Sequence, residues 1–343
     1  MSYIKKWILF TLASVFFTLS FFVGINYFMD PLWTFEHEHK YNQFQRGRKE
    51  RQQKSNALYF RSEKYDTLLF GSSRTAYMNQ YKWDRKTFNY AVSDMKPNEY
   101  NAYLDFAINV AKQPVKRVII GLDFFGALTY TSLISKEPRL ILDEITQPFY
   151  RYKLLLSIDT LSYSNLNIQD YFKKPYSKYK YNNIKTSPPK TDTNLESYEK
   201  RIQGNIETYI RERYSKKYDE NYKKEILNLI TSHPDIEFIV FTTPISSQHF
   251  NALLSQNLYQ EYERWLKESV EVFGEIHHFM YKNEITKNAN LYFQDSNHGY
   301  DTTYECLTNE MLQKDSKCPK IDMILKAENI EDKLNLLQKS NLY

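Results

Sequence analysis

The chain has 343 residues, a formal net charge of +5 and 42% hydrophobic residues, which is enough for one large core or two smaller ones. So mild a charge, with no dense basic cluster interleaved with aromatics, argues against nucleic acid as a partner. Glycine is scarce at 8 residues, well below ordinary usage, and four of the eight (Gly71, Gly121, Gly126 and Gly299) fall in or beside the segments that carry motifs. The 30 tyrosines fit either a compositional bias towards Tyr, Lys, Asn and Ile or aromatic platforms for sugars.

Residues 7–25 carry no charge, and Asn26 to Met29 complete a run long enough to cross a hydrocarbon core of ~30 Å. Lys5 and Lys6 precede the run, and Trp7 and Tyr27 stand near its ends as interfacial aromatics do. The run is long for a signal peptide, and no small-x-small cleavage site comes after it. Residues 1–29 therefore read as a cytoplasmic tip and an uncleaved transmembrane signal anchor. This gives a single-pass protein of the inner or cytoplasmic membrane, with its remaining domain on the periplasmic or extracellular side. Arg46, Arg48, Lys49, Arg51 and Lys54 lie on that exported side. They head a long domain, which translocates despite its charge, and they read as a solvated helix face in preference to contacts with anionic head groups. Residues 30–64 read as a juxtamembrane linker. Within them, His37 and His39 have no Cys or further His nearby in sequence, so they read as exposed polar residues, not a metal pair.

A strand–helix alternation occupies 65–318. Strands are expected over 66–71, 87–92, 118–123, 236–243 (stopped by Pro244) and 275–281. The third, Val-Ile-Ile-Gly-Leu-Asp, is continuously apolar and β-branched, as strands buried on both faces are. Helical spacing marks Tyr100, Tyr103, Leu104, Ala107 and Val110, then Leu258, Tyr262, Trp265, Leu266 and Val270, then Tyr300, Tyr304, Leu307 and Met311. Strands alternating with helices predict an α/β fold whose parallel sheet is covered on both faces. Residues 127–235 are too long for a simple connection and read as an inserted, mostly helical cap. Residues 319–343 read as a polar helical tail. Cys306 and Cys318 either form a disulfide, which an exported domain permits and which would stabilise by roughly 3 kcal/mol, or stay reduced.

Two short stretches carry chemistry. Gly71-Ser72-Ser73-Arg74 ends the first strand, and Asp295-Ser296-Asn297-His298 precedes the last helix of the alternation. A serine hydroxyl attacks a carbonyl only with an adjacent base, a third group that fixes the tautomer of that base, and donors for the oxyanion. Ser73, His298 and Asp295 supply the first three roles. Of the 7 histidines, His298 alone combines a nearby acid, a glycine and a following helix. His277 and His278 lie in a strand-like run and read as packing or surface. No metal or cofactor is called for.

This layout resembles the SGNH (GDSL-like) hydrolase superfamily, over roughly residues 65 to 315 apart from the insert. The resemblance implies a flavodoxin-like three-layer α/β/α sandwich, with Ser73 as nucleophile, His298 as base and Asp295 as its orienting acid. Ser72 stands where the family has Asp and becomes a supporting turn residue. The chain is similar to membrane-anchored bacterial cell-envelope members, including those associated with cell-surface polymer acylation. Two departures concern the oxyanion site. Asn89-Tyr-Ala-Val-Ser-Asp94 lacks the family's glycine, so a backbone N–H of Ser93 or Asp94 must serve. The third block has Asp123 in place of the usual Asn, and a carboxylate repels an oxyanion. Asp123 then either pairs with Arg74 or binds a substrate hydroxyl. The function implied is an exported, membrane-tethered serine esterase or O-acyltransferase. Its partners would be the membrane, through the N-terminal helix, and an acylated envelope carbohydrate or other ester. The alternative is a catalytically degenerate member that binds a glycan or a protein partner through the Tyr-rich insert. A plain anchored structural domain is a third reading.

Overall fold

The computed structural model describes residues 2–130, 137–173, 178–188 and 195–341. Parts of the predicted insert and tail, at 131–136, 174–177, 189–194 and 342–343, lie outside the described residues. Two compact units emerge: Met1–Ser62 with Arg139–Asn183, and Glu63–Pro138 with Ile184–Tyr343. The predicted insert is thus divided between them.

The second unit is an α/β fold around a six-stranded sheet. Its strands are β1 (Thr67–Gly71), β2 (Thr87–Asn89), β3 (Arg117–Leu122), β4 (Glu237–Thr242), β5 (Glu275–His278) and β6 (Met323–Lys326). Their order is β2-β1-β3-β4-β5-β6, parallel except that β6 runs antiparallel to β5. Every residue of β1 and β3 is buried, and after Thr67 and Arg117 at their starts both strands read as unbroken apolar runs. Leu69, Ile119 and Phe241 face a cluster that includes Ile202, Ile206, Leu307 and Met311. Helices Leu195–Tyr209 and Asp301–Met311 therefore cover that face. Phe70, one residue on, points the other way and meets the Tyr100 ring at 5.9 Å. On that face helix Pro97–Val110 packs against Tyr222–Ser232, which packs against Tyr259–Phe273. The chain leaves β1 for β2 on one side and returns to β3 on the other. A crevice opens where strand order reverses in this way, outside the C-terminal ends of the strands.

The tail differs from its expected form. Among its described residues only Ile330–Asn341 is helical, and β6 precedes it. Four residues, Met-Ile-Leu-Lys, are too few to display a period, so composition alone hid the strand. Cys306 and Cys318 are joined in a disulfide, which links helix Asp301–Met311 to the segment leading into β6.

In the first unit, helix Tyr3–Met29 is long and apolar enough to cross a membrane. The segment after it is not a linker. Helix Glu50–Phe60 buries Arg51, Gln53, Lys54, Ser55 and Asn56. The cause is a set of side-chain amides that satisfy the carbonyls of the irregular segment before it. Gln45 Nε2 donates to Met29 O (2.8 Å), Gln53 Nε2 to Pro31 O (2.8 Å) and Asn56 Nδ2 to Leu32 O (2.8 Å). The expected solvated basic face is likewise corrected. Arg48 and Lys49 are exposed, but Arg51 and Lys54 are buried, and Arg46 pairs with buried Asp170. Lys54 Nζ lies 5.1 Å from the centre of the Tyr179 ring. These partners stand more than a hundred residues away in sequence, out of reach of any local pattern. His37 and His39 are half-buried, and each places Nε2 at the Phe28 carbonyl, at 3.3 and 2.8 Å. Strand Phe44–Gln45 pairs antiparallel with Lys178–Lys180.

Candidate active site

The serine turn is built by two glycines. Gly71 ends β1 at φ +143°, and a Cβ there would lie 2.3 Å from Thr75 Oγ1 and 2.8 Å from the Gly121 carbonyl oxygen. Gly121 stands opposite it in register, and a Cβ there would lie 2.1 Å from the same hydroxyl. The pair makes room for Thr75, so the chain turns sharply at the strand end. Ser72 is fully buried, and its Oγ accepts from the Arg74 N–H (3.2 Å), capping the short helix Ser73–Ala76. Ser73 is the first residue of that helix and remains partly exposed.

The Asp295–His298 segment meets this serine. Asp295 Oδ1 accepts from the N–H groups of Asn297 and His298, both at 2.8 Å. Its Oδ2 lies 2.8 Å from His298 Nδ1, and His298 Nε2 lies 2.8 Å from Ser73 Oγ. The carboxylate at Nδ1 holds the proton there and leaves Nε2 as the acceptor. Burial works against the Asp295 charge, but His298 and the two N–H groups more than offset it and hold the carboxyl well below its usual range. The Tyr77 ring packs edge-on against His298 at 5.9 Å and stacks on Tyr304. The Tyr304 hydroxyl accepts from the Gly299 N–H at 3.0 Å. From behind, Ser296 Oγ meets His249 Nδ1 at 2.7 Å and bonds Asn205 Oδ1, which also accepts from Asn297 Nδ2 at 3.2 Å. His249 is fully buried; burial first, then the neighbouring Arg74, pushes its pKa well down, so it is neutral.

Beside the serine, Asp123 pairs with Arg74, the first of the two roles open to it. Arg74 Nη1 donates to Asp123 Oδ1 at 2.8 Å, with the two side chains 2% and 4% exposed. Thr243 Oγ1 donates to the same oxygen. Arg74 also reaches Thr243 Oγ1 (3.2 Å) and the Tyr209 hydroxyl (3.3 Å) and lies over the Phe125 ring at 5.3 Å. Burial opposes its charge, but Tyr209 and Asp123 more than offset that, and the guanidinium stays protonated. The Val92 N–H donates to the Gly71 carbonyl (3.0 Å) and the Met95 N–H to Val92 O (3.2 Å), so the turn holding Ser93 and Asp94 is pinned at the end of β1. Asp94 takes φ 61°. Its carboxylate accepts from the Tyr130 hydroxyl and from Arg213 Nη2 at 2.9 Å. Each acid near the serine turn, Asp94 and Asp123, is thus matched by a buried or half-buried arginine.

Ser73, His298 and Asp295 come together in one hydrogen-bonded line, Arg74 joins Asp123, and the Ser93–Asp94 turn lies against the strand that delivers Ser73. Sequence reasoning missed Tyr209, Arg213, His249 and Asn205. Tyr209 and Arg213 are four apart across the π-helical turn Ile210–Tyr214, and Arg213 lies 4.3 Å from the Tyr209 ring. Wide turns of this kind cluster at functional sites. Ile202, Ile206 and Tyr209 stand at helical spacing on Leu195–Tyr209, but nothing local shows that Tyr209 reaches Arg74. Among the described residues, no group of three His, Cys, Asp or Glu side chains is arranged to hold a metal ion. No protein-family model matches this sequence, and no curated protein matches it either.

Proposed function

We propose that this chain is a membrane-tethered serine esterase or O-acyltransferase of SGNH type, acting on an acylated cell-envelope carbohydrate. The observation that carries the reading is the line Asp295–His298–Ser73, with 2.8 Å at each link. The order of β2, β1, β3, β4 and β5 agrees with the flavodoxin-like doubly wound sheet, and helices on both faces agree with a three-layer sandwich. The disulfide fits an exported domain, and the N-terminal helix fits an anchor. A cleft of about 230 Å³ borders Tyr77, the residue that touches His298. Tyr304, Lys82, Lys185, Asp301 and Glu305 also line it, a mixture of rings and charges suited to a hydroxyl-rich sugar.

In this mechanism Ser73 Oγ bonds to the ester carbonyl carbon while His298 Nε2 takes its proton. Asp295 holds the imidazolium that forms. The tetrahedral intermediate collapses, the alcohol leaves with the proton from His298, and the acyl group stays on Ser73. Water or a sugar hydroxyl then gives its proton to His298 and attacks the acyl carbon, and as this second tetrahedral intermediate collapses Ser73 Oγ leaves with the proton from His298. Donors for the oxyanion come from backbone N–H groups, with Ser93 and Asp94 the candidates.

The test is labelling of the full chain by a fluorophosphonate probe and turnover of a chromogenic acetyl ester. Both should be present in the natural chain and lost in Ser73→Ala. Labelling that persists unchanged in that variant would remove Ser73 from the mechanism.

A second reading is favoured by Asp123, which on the resemblance replaces an amide expected to donate to an oxyanion and whose carboxylate is taken up by Arg74. In that reading the chain is a degenerate family member that binds a glycan or a protein partner. It expects no ester turnover by the natural chain and undiminished glycan binding by Ser73→Ala.

A further inference from the structure

The first unit holds a groove of about 630 Å³ with an almost wholly apolar lining. One wall is the last part of helix Tyr3–Met29, with Ser20, Phe21, Gly24 and Ile25; the other is helix Ile158–Lys173, with Ile168 and Phe172. Small side chains at Ser20 and Gly24 open the near wall, and Phe172 is 75% exposed.

The two helices are locked together by a polar residue inside an apolar helix. Asn26 is 1% exposed. Its Nδ2 donates to Leu155 O at 2.9 Å, and its Oδ1 accepts from Ser164 Oγ at 2.9 Å. Helix Tyr150–Leu155 and the start of Ile158–Lys173 are therefore fixed at the level of residue 26. Ser20 lies six residues earlier, about 9 Å along the helix axis. A helix that spans the bilayer over its uncharged run carries the groove into the hydrocarbon. Beside the Leu155 carbonyl that Asn26 bonds, Leu156 is 62% exposed and Ile158 83%, an apolar surface at the outer end of the uncharged run. Lys153 stands in the last turn of one helix and Lys173 ends the other, where lipid head groups would meet them.

We propose that residues 150–173 lie in the leaflet nearest the folded part of the chain and that lipid acyl chains fill the groove. The segment acts as a second, monotopic contact that fixes the tilt and height of the anchor. The occupant is a bilayer acyl chain because one wall of the groove is the anchor itself, continuous with the surface the bilayer already covers. The inference rests on Tyr3–Met29 being a spanning helix, and is independent of the proposed catalysis.

The two native cysteines are joined to each other, so a single introduced cysteine carries a single spin label. The full chain is reconstituted in lipid nanodiscs as Ile158→Cys, Phe172→Cys, Phe16→Cys and Ser2→Cys, each nitroxide-labelled. Accessibility to oxygen and to a water-soluble nickel chelate is read by power saturation. Labels at 158 and 172 should favour oxygen several-fold over the chelate relative to Ser2, the aqueous reference, and should approach Phe16 in the span. Chelate accessibility at 158 and 172 equal to that at Ser2, with Phe16 protected, overturns the proposal and leaves the anchor intact. Chelate accessibility at Phe16 as well overturns the anchor reading itself. Dipolar broadening at 172 that vanishes on dilution with unlabelled chain would place a second copy in the groove and also overturn the proposal. The substituted side chains at 158 and 172 are exposed, so loss of folding does not intervene.

Discussion

Ser73 Oγ and His298 Nε2 stand 2.8 Å apart although 225 residues separate them in the chain. Asp295 completes the line and holds the Nδ1 proton. Ser73→Ala should lower ester turnover by about 10³-fold or more, and Asp295→Asn by about 10²- to 10⁴-fold, since an amide at Nδ1 permits the wrong tautomer. The double variant should be no worse than Ser73→Ala, because residues that act as a unit are not additive. Steady-state kinetics on one activated ester decides this; additive losses would show that Asp295 works by another route.

The Arg74–Asp123 pair is almost wholly dehydrated. Removing one partner leaves an uncompensated buried charge, which costs about 3–5 kcal/mol. Asp123→Ala should therefore lower the urea midpoint sharply, while Arg74→Met combined with Asp123→Leu should recover a large part of the loss. Equal stability of Asp123→Ala and the natural chain would mean that water reaches Arg74.

Thr75 gives a test of the two-glycine turn. In Gly121→Ala the new methyl meets Thr75 Oγ1 and the Phe241 ring, so Thr75→Ala should restore part of the lost stability. In Gly71→Ala the methyl also meets the Gly121 carbonyl oxygen, and φ +143° is strained for any side chain. There Thr75→Ala should restore little. Thermal midpoints of the four variants separate the two cases.

His278 is fully buried between Thr242 Oγ1 (2.9 Å) and the Tyr262 hydroxyl (2.8 Å), and burial brings its pKa down to about 3. An unfolded imidazole titrates near ~6.5, so below that pH the unfolded chain binds a proton that the folded chain refuses. Its contribution is full above ~6.5 and falls by about 1.4 kcal/mol per pH unit on the way towards 3. Buried Asp30 works in the opposite sense: its pKa is pushed up to about 6, so its contribution is present below the ordinary carboxyl range and lost as pH rises through about 6. The comparison is therefore between the natural chain and His278→Gln, whose urea midpoint should fall less steeply from about pH 7 to about pH 5. Identical slopes would show that His278 is protonated in the folded state.

The inner strands were legible because burial on both faces leaves a local signature, as in Val118-Ile-Ile-Gly-Leu. The Asp295-x-x-His298 pair was legible because both side chains sit in one turn. The role of residues 50–60 was not. Gln53 and Asn56 bond carbonyls some twenty residues back, and Arg46 finds Asp170 across 124 positions. Polar composition there resembles a solvated segment until those partners are known. The same holds for Arg213, whose partner Asp94 lies 119 positions away.

The sheet has one further property. Interior strands as apolar as β1 and β3 are strong templates for pairing with another chain, and a long bare rim would invite aggregation. Here the rims are short: β2 has three residues and β6 has four. On β6, Lys326 reaches across to Glu275 at 2.8 Å, placing charge on the rim. The C-terminal strand thus serves as a solubility guard for the sheet, and a chain ending before it would present β5 as an open edge.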